Sequence, residues 1–179
     1  MISVLVLDGF SDSSLCVNSQ VLSEIGDIFI PLLTGILRYN GVTCVTVKPS
    51  GLEHEYGING KNSDNLIYVP IFSCAAEENT GVSFIYTDST APASVSFRIA
   101  SKLRKLREEI SESVTFVNAL HENDSLKKFS PVIVDNIRFS GASGACEILK
   151  NLYKTVLSVA KAVCVYYGVI FRDPSKTEY

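Results

Sequence analysis

Few side chains in this sequence could carry chemistry, and they lie near the ends of predicted strands. The sequence contains two histidines, His54 and His121, each beside a glutamate. Neither has a second ligand at the i,i+4 spacing of a helical metal pair, so we expect two exposed loop histidines. Two carboxylates, Glu24 and Asp135, stand beside apolar runs. Such groups can ligate a metal or transfer protons, but no convincing Ser-His-Asp set, Cys-His set or phosphate loop accompanies them.

An alternation of strands and helices is predicted to position these residues. Apolar runs predict strands at 2–7, 42–47, 66–72, 82–87 and 131–134, with a short strand or turn around 114–120. Helical spacing of apolar residues predicts helices at 20–39, 90–106 and 146–171. The first strand, helix and strand form a right-handed crossover, so the sheet contains parallel strands. We therefore predict one three-layer α/β domain over residues 1–172, with a mostly parallel twisted sheet of about five or six strands flanked by helices. Residues 173–179 are predicted to be a polar tail.

Three local patterns refine this prediction. Pro31 should divide the first helix into a short and a longer piece, because proline removes a helical hydrogen bond. Asn40 and Gly41 should end that helix, since glycine readily adopts a positive φ. The segment 135–144 is predicted to be a polar loop at the edge of the sheet, which would leave Asp135 solvated.

Composition excludes several classes of function. The chain of 179 residues is 46% hydrophobic and 20% charged, which is typical of one globular domain. Its net charge of −3 argues against a nucleic-acid-binding surface, because no basic excess is present to displace counterions. No apolar stretch reaches the roughly 18 residues of a membrane span, and no signal peptide is evident. We therefore expect a cytoplasmic protein, or one released by lysis.

The basic cluster and the cysteines have structural interpretations. The cluster consists of Lys102, Arg104, Lys105 and Arg107, and Glu108, Glu109 and Glu112 follow it. This spacing is typical of i,i+4 ion pairs on a solvated helix face. The five cysteines are scattered and never form a CxxC pair, so we expect reduced thiols rather than disulfides or a zinc site.

Four stretches of the chain, taken in order, carry a resemblance to a known family. The first is VLVLDGF at 4–10, and the second is the helix that follows Ser23 and Glu24 and ends in YNGV at 39–42. The third is VPIFSCA at 69–75 with GVSFIY at 81–86 and the next helix. The fourth is PVIVDNIRF at 131–139. Together these stretches resemble the zinc-dependent N-acetylmuramoyl-L-alanine amidases of the phage-endolysin and sporulation type. The resemblance covers residues 1–171, but none of its motifs is complete.

The resemblance implies a zinc site and assigns positions to it. In the family, two histidines and a glutamate hold Zn²⁺, and a further glutamate passes a proton to the leaving amine when the lactyl–peptide amide is cut. The first histidine falls on Phe10, and the second on Ile71 or Phe72, depending on the strand register. The ligand glutamate falls on Glu24, and the catalytic glutamate on Asp135, which is one methylene shorter. Phenylalanine and isoleucine cannot coordinate zinc.

The resemblance therefore implies a degenerate, non-catalytic protein that keeps the fold, with Glu24 and Asp135 as remnants of the site. We expect no cofactor, no nucleic acid or membrane partner, and a structural or binding role through a protein partner, self-association or peptidoglycan. The family is found in phages, phage-tail-like particles and spore or cell-wall assemblies, which suggests such a setting. Two alternatives remain: an active amidase that holds zinc through relocated ligands such as Glu24, His54 and His121, and a wall-binding module.

Overall fold

A computed structural model describes residues 3–7, 19–48, 65–74, 82–110, 114–121, 126, 129–139 and 141–176. The strands are β1 (Ser3–Leu7), β2 (Thr43–Val47), β3 (Asn65–Cys74), β4 (Val82–Thr87), β5 (Val114–Ala119) and β6 (Val132–Phe139). The α-helices are α1 (Ser19–Tyr39), α2 (Val95–Glu108) and α3 (Gly141–Tyr166), and a short 3₁₀ helix covers Pro174–Lys176.

The described strands form one sheet in the order β2-β1-β3-β6-β4-β5. Every neighbouring pair is parallel except β4 and β6, which are antiparallel. The carboxyl ends of β1, β2, β3 and β6 therefore share one edge of the sheet, which we call the rim. The predicted α/β class, with a mostly parallel sheet flanked by helices, is confirmed, and the uncertain segment at 114–120 is a strand.

Strands β3 and β6 are buried on both faces, which explains the apolar runs at 66–72 of β3 and 132–134 of β6. On one face, side chains such as Tyr68, Phe72 and Ile133 belong to a large core cluster that includes the buried faces of all three α-helices. On the other face, Ile67 and Val134 belong to a smaller cluster. We call these the helix face and the opposite face. Because side chains alternate along a strand, neighbouring residues of β3 and β6 point to different cores.

Helix α1 is continuous, so the prediction that Pro31 divides it is wrong. The helical bond that Pro31 cannot donate would end on the carbonyl of Asp27. Both residues are exposed, so water can satisfy that carbonyl and the helix survives the proline. The end of the helix is as predicted: Gly41 has a φ of 77°, and the amide of Val42 bonds to the carbonyl of Leu37 at 3.0 Å.

The predicted loop at 135–144 is also wrong, because β6 continues to Phe139 and α3 begins at Gly141. The strand pattern persists through these residues, since Ile137 and Asp135 both lie on the helix face. Helix α3 ends five residues earlier than expected, at Tyr166 rather than at 171. Gly168, with a φ of 70°, follows this end and stops the helix.

Candidate functional site

The described residues that the sequence singled out lie on different elements of the fold. Strand β3 carries Ile71 and Phe72, strand β6 carries Asp135, and helix α1 carries Glu24. The predictions for Phe10 and His54 fall outside the described residues. Strand register brings Asp135 beside Pro70 of β3 on one side and Ile85 of β4 on the other. Asp135 thus lies within the sheet, on the strand next to the one that carries Ile71 and Phe72.

Asp135 is completely buried, with 0% of its surface exposed. The expectation that it is a solvated loop acid is therefore wrong. Its strand runs between β3 and β4, and its side chain points to the helix face, under α2. A buried carboxylate is costly unless it is paired and hydrogen-bonded, so its partners determine what it can do.

The first partner of Asp135 is Arg107, in the last turn of α2. Its Nη1 donates to Oδ1 of Asp135 at 2.6 Å, and its Nη2 donates to Oδ2. The two side chains are 6% and 0% exposed, respectively. This is the two-point geometry that a planar guanidinium makes with a carboxylate. Burial has the largest single effect on the pKa of Arg107 and lowers it, but the interactions with Asp135 and Tyr68 together outweigh burial, so the pKa is raised.

The second partner is Tyr68, which reaches Asp135 from strand β3. Its hydroxyl donates to Oδ2 of Asp135 at 2.5 Å, and the side chain is 1% exposed. Burial raises the pKa of Tyr68 well above its usual value, and the neighbouring charge of Asp135 raises it further. The phenol is therefore neutral and remains a hydrogen-bond donor.

Together, these contacts supply three hydrogen bonds to one carboxylate. We call Tyr68, Arg107 and Asp135 the buried triad. A general base must reach the proton that it removes, directly or through a water molecule. Asp135 has no exposed surface, and its oxygens already accept bonds from inside the core. The arrangement therefore stabilises the packing of α2 on the sheet and does not present a base to a substrate.

The β3 positions assigned to the second histidine hold hydrocarbon side chains that pack into the two cores. Phe72 is 3% exposed and contacts the ring of Phe29 edge-on, with centroids 5.3 Å apart. Ile71 is half-buried and packs against the smaller cluster on the opposite face. Of the two, Phe72 is the residue that shares the helix face with Asp135. Neither side chain has an atom that can donate an electron pair to a metal.

Glu24 is exposed and lies beyond the first turn of α1. His121 is exposed, as predicted. Within the described ranges, no group of three or more His, Cys, Asp or Glu side chains could hold a metal ion. The described residues therefore do not fit the zinc that the resemblance implies, and we derive no reaction step through it.

Sequence reasoning missed two members of the triad, Arg107 and Tyr68. The sequence placed both Arg104 and Arg107 on a solvated helix face. This prediction is confirmed for Arg104, which pairs with Glu108 at 3.6 Å, with both side chains exposed. Arg107 instead lies four residues after Leu103 on the buried stripe of α2. That spacing was the available signal, because residues i and i+4 share one face of a helix.

A groove of about 660 Å³ lies elsewhere, against the helices. It is lined by parts of α2 and α3 and by the segment after α3, including Leu157, Lys161 and Phe171. Its lining includes none of Glu24, Ile71, Phe72 or Asp135. The groove is therefore separate from the site that the sequence predicts. Among the described helices, none is long and apolar enough to cross a membrane.

The fold is that of N-acetylmuramoyl-L-alanine amidase catalytic domains. The catalytic domain of CwlV from Bacillus (Paenibacillus) polymyxa var. colistinus matches 95% of this chain and 100% of its own, with a TM-score of 0.71 and 11% identity. The amidase AmiC2 of Nostoc punctiforme matches 94% and 97%, with a TM-score of 0.69 and 11% identity. The CwlD amidase from Clostridioides difficile, in complex with the GerS lipoprotein, matches 93% and 96%, with a TM-score of 0.57 and 8% identity. No family model and no curated protein sequence matches the chain.

Proposed function

We propose that this chain is a non-catalytic protein with the amidase fold, which serves as a structural or binding component of a cell-wall-associated assembly. The observation that carries the proposal is the complete burial of Asp135 in its ion pair with Arg107. In the resemblance, Asp135 occupies the place of the catalytic glutamate. The residue that should meet the substrate is instead a core residue.

The chemistry of amide hydrolysis supports this reading. The base has to take a proton from water and give it to the leaving amine, so it must alternate between two protonation states. Protonating Asp135 would break charge-assisted bonds with Arg107 and leave the guanidinium buried without a counter-charge. Proton transfer at this carboxylate would therefore have to break the ion pair that joins α2 to the sheet.

The positions of the metal ligands support it independently. In the resemblance, Phe10 and either Ile71 or Phe72 fall where the family has histidines. The packing of Phe72 against Phe29 makes that position part of the core. One remaining carboxylate, Glu24, does not make a catalytic zinc site, which needs three protein ligands and an open position.

A domain without catalysis can still bind. The CwlD neighbour, which has the same fold, is in complex with a lipoprotein, so this fold is compatible with a protein partner. Peptidoglycan is the second candidate partner, since the neighbours are peptidoglycan amidases. A phage, a phage-tail-like particle or a spore assembly is the setting that we propose for either role.

Two measurements on the purified chain test this proposal. After incubation with excess zinc and gel filtration, elemental analysis should find no more zinc on the wild type than on Glu24→Ala. One zinc per chain that is lost in Glu24→Ala would overturn the proposal and favour the relocated site. Co-sedimentation with purified sacculi then separates a wall-binding module, which pellets, from a structural subunit, which stays in solution.

A further inference from the structure

In the sheet that the described strands form, the edge strands β2 and β5 differ in how they are protected. An edge strand presents unpaired backbone groups that can pair with another chain, and proteins usually block them with charges, prolines or bulges. The guanidinium of Arg38 donates two hydrogen bonds to the carbonyl of Cys44 in β2, at 3.1 and 2.8 Å. An exposed lysine, Lys48, follows the same strand. The β2 edge therefore carries charges that oppose further pairing.

Strand β5 has no such protection among the described residues. Its sequence, VTFVNA, contains neither a charge nor a proline. Three of its side chains, those of Phe116, Asn118 and Ala119, are exposed. Phe116 is 47% exposed, although its ring stacks on Phe84 with centroids 5.6 Å apart. The strand is thus an uncharged edge with an aromatic side chain at its surface.

The direction of the backbone groups on β5 follows from one hydrogen bond. The amide of Leu120 donates to the carbonyl of Thr87 in β4 at 2.8 Å. In a parallel pair, alternate residues direct both their N–H and their C=O to the same neighbour. Even-numbered residues of β5 therefore bond to β4, and Thr115, Val117 and Ala119 direct their backbone groups away from the sheet. Within the described part of the chain, no side chain bonds to these outward groups.

We propose that β5 pairs antiparallel with β5 of a second copy of this chain, about a two-fold axis at Val117. In that register, Val117 faces its own copy and Thr115 faces Ala119 of the other copy. Each pair exchanges two backbone hydrogen bonds, which gives about six across the interface. The two sheets become one continuous sheet.

Charge and packing favour a second copy as the occupant. An isologous contact places the same strand on both sides, so any charge on β5 would face its own kind or lie close to it. The strand carries none. In the proposed register, Phe116 lies opposite Asn118 of the second copy and diagonal to its Phe116. Diagonal neighbours are about 7–8 Å apart, within reach of two aromatic rings.

This inference goes beyond the proposed function and does not depend on it, because the β5 edge would be the same in an active or an inactive domain. Sedimentation velocity of the full chain over a range of concentrations measures the association. Two variants separate the edge from the rest of the surface. Ala119→Pro removes an outward N–H without removing a bond to β4, and Phe116→Lys places a charge on the edge. Thr46→Lys, at an exposed position on β2, is the matched control.

The wild type and Thr46→Lys should be dimers at concentrations at which Ala119→Pro and Phe116→Lys are monomers with unchanged circular dichroism. Hydrogen exchange of the wild type provides a readout that needs no variant. The amides of Val117 and Ala119 should be protected in the dimer and should exchange faster on dilution. A monomer at all concentrations, with fast exchange at Val117, would overturn the proposal, as would a dimer that both edge variants leave intact.

Discussion

Arg107 of α2 and Asp135 of β6 form a two-point ion pair inside the core, with Nη1 and Oδ1 2.6 Å apart. Their side chains are 6% and 0% exposed. The amidase resemblance places the catalytic acid at Asp135. In the structure, this residue instead joins a helix to the sheet through its ion pair.

Removing one partner of the ion pair should destabilise the protein strongly. Arg107→Met leaves Asp135 buried without its counter-charge. Asp135→Leu likewise leaves the guanidinium of Arg107 buried without a counter-charge. Each single variant is expected to lower the free energy of unfolding by about 3–5 kcal/mol. Urea denaturation followed by circular dichroism measures the loss.

The double variant and an exposed pair provide the controls. Arg107→Met combined with Asp135→Leu should cost less than the sum of the single changes, because no buried charge remains. Arg104→Ala, in the exposed pair with Glu108, should change stability by about 1 kcal/mol or less. Equal losses of unfolding free energy in the Arg104 and Arg107 variants would show that the buried pair stabilises the protein no more than the exposed pair does.

Tyr68 should make the protein less stable in alkaline solution. Its pKa is raised by burial and by Asp135, so the folded state keeps the phenolic proton at a pH where the unfolded state loses it. The contribution is complete below the unfolded pKa of about 10 and is lost as the pH rises toward the folded pKa. In Tyr68→Phe, the decline of unfolding free energy above about pH 10 should be shallower by up to about 1.4 kcal/mol per pH unit. Identical slopes in the two proteins would rule out this role.

Cys44 and Cys164 should react slowly with iodoacetamide. Burial raises the pKa of each thiol from 9.0 to about 11, and Arg38 partly opposes this shift at Cys44. In a variant that keeps only these two cysteines, alkylation at about pH 8 should be slow in the native state and complete in urea. Because the thiols keep their protons in the folded state, stability is lost above a pH of about 9. Rapid native alkylation would contradict the burial of these side chains.

Local patterns predicted most of the fold, because strand and helix periodicity depend on a few neighbouring residues. Strand β4, Val82–Thr87, was predicted at the observed bounds. The errors arose where a tertiary contact decided the outcome. Asp135 looks like a loop residue until Arg107 supplies its partner. Pro31 looks like a helix breaker, but it lies on the exposed side of α1, where water can bond to the carbonyl that loses its helical partner. The triad combines three separate elements, so no single stretch of sequence reveals it.

Alanine substitutions at two glycines, one within α1 and one just after it, should have opposite effects on stability. Gly35 lies in the exposed interior of α1, and a Cβ there would meet no atom within 4 Å. Gly35→Ala should therefore stabilise the protein by about 0.5–1 kcal/mol. Gly41 has a φ of 77°, so Gly41→Ala should destabilise it by about 1–2 kcal/mol. Chemical denaturation of both variants measures the change in the free energy of unfolding. A stabilising effect of Gly41→Ala would contradict the positive φ at the end of the helix.

Label release from dye-labelled sacculi in the presence of added zinc tests the proposal that this domain is non-catalytic. An active amidase catalytic domain serves as the positive control. We predict that the wild-type chain releases no more dye than buffer does, and that Glu24→Ala and Asp135→Asn are indistinguishable from it. Release that depends on zinc and is abolished in Glu24→Ala would contradict the claim.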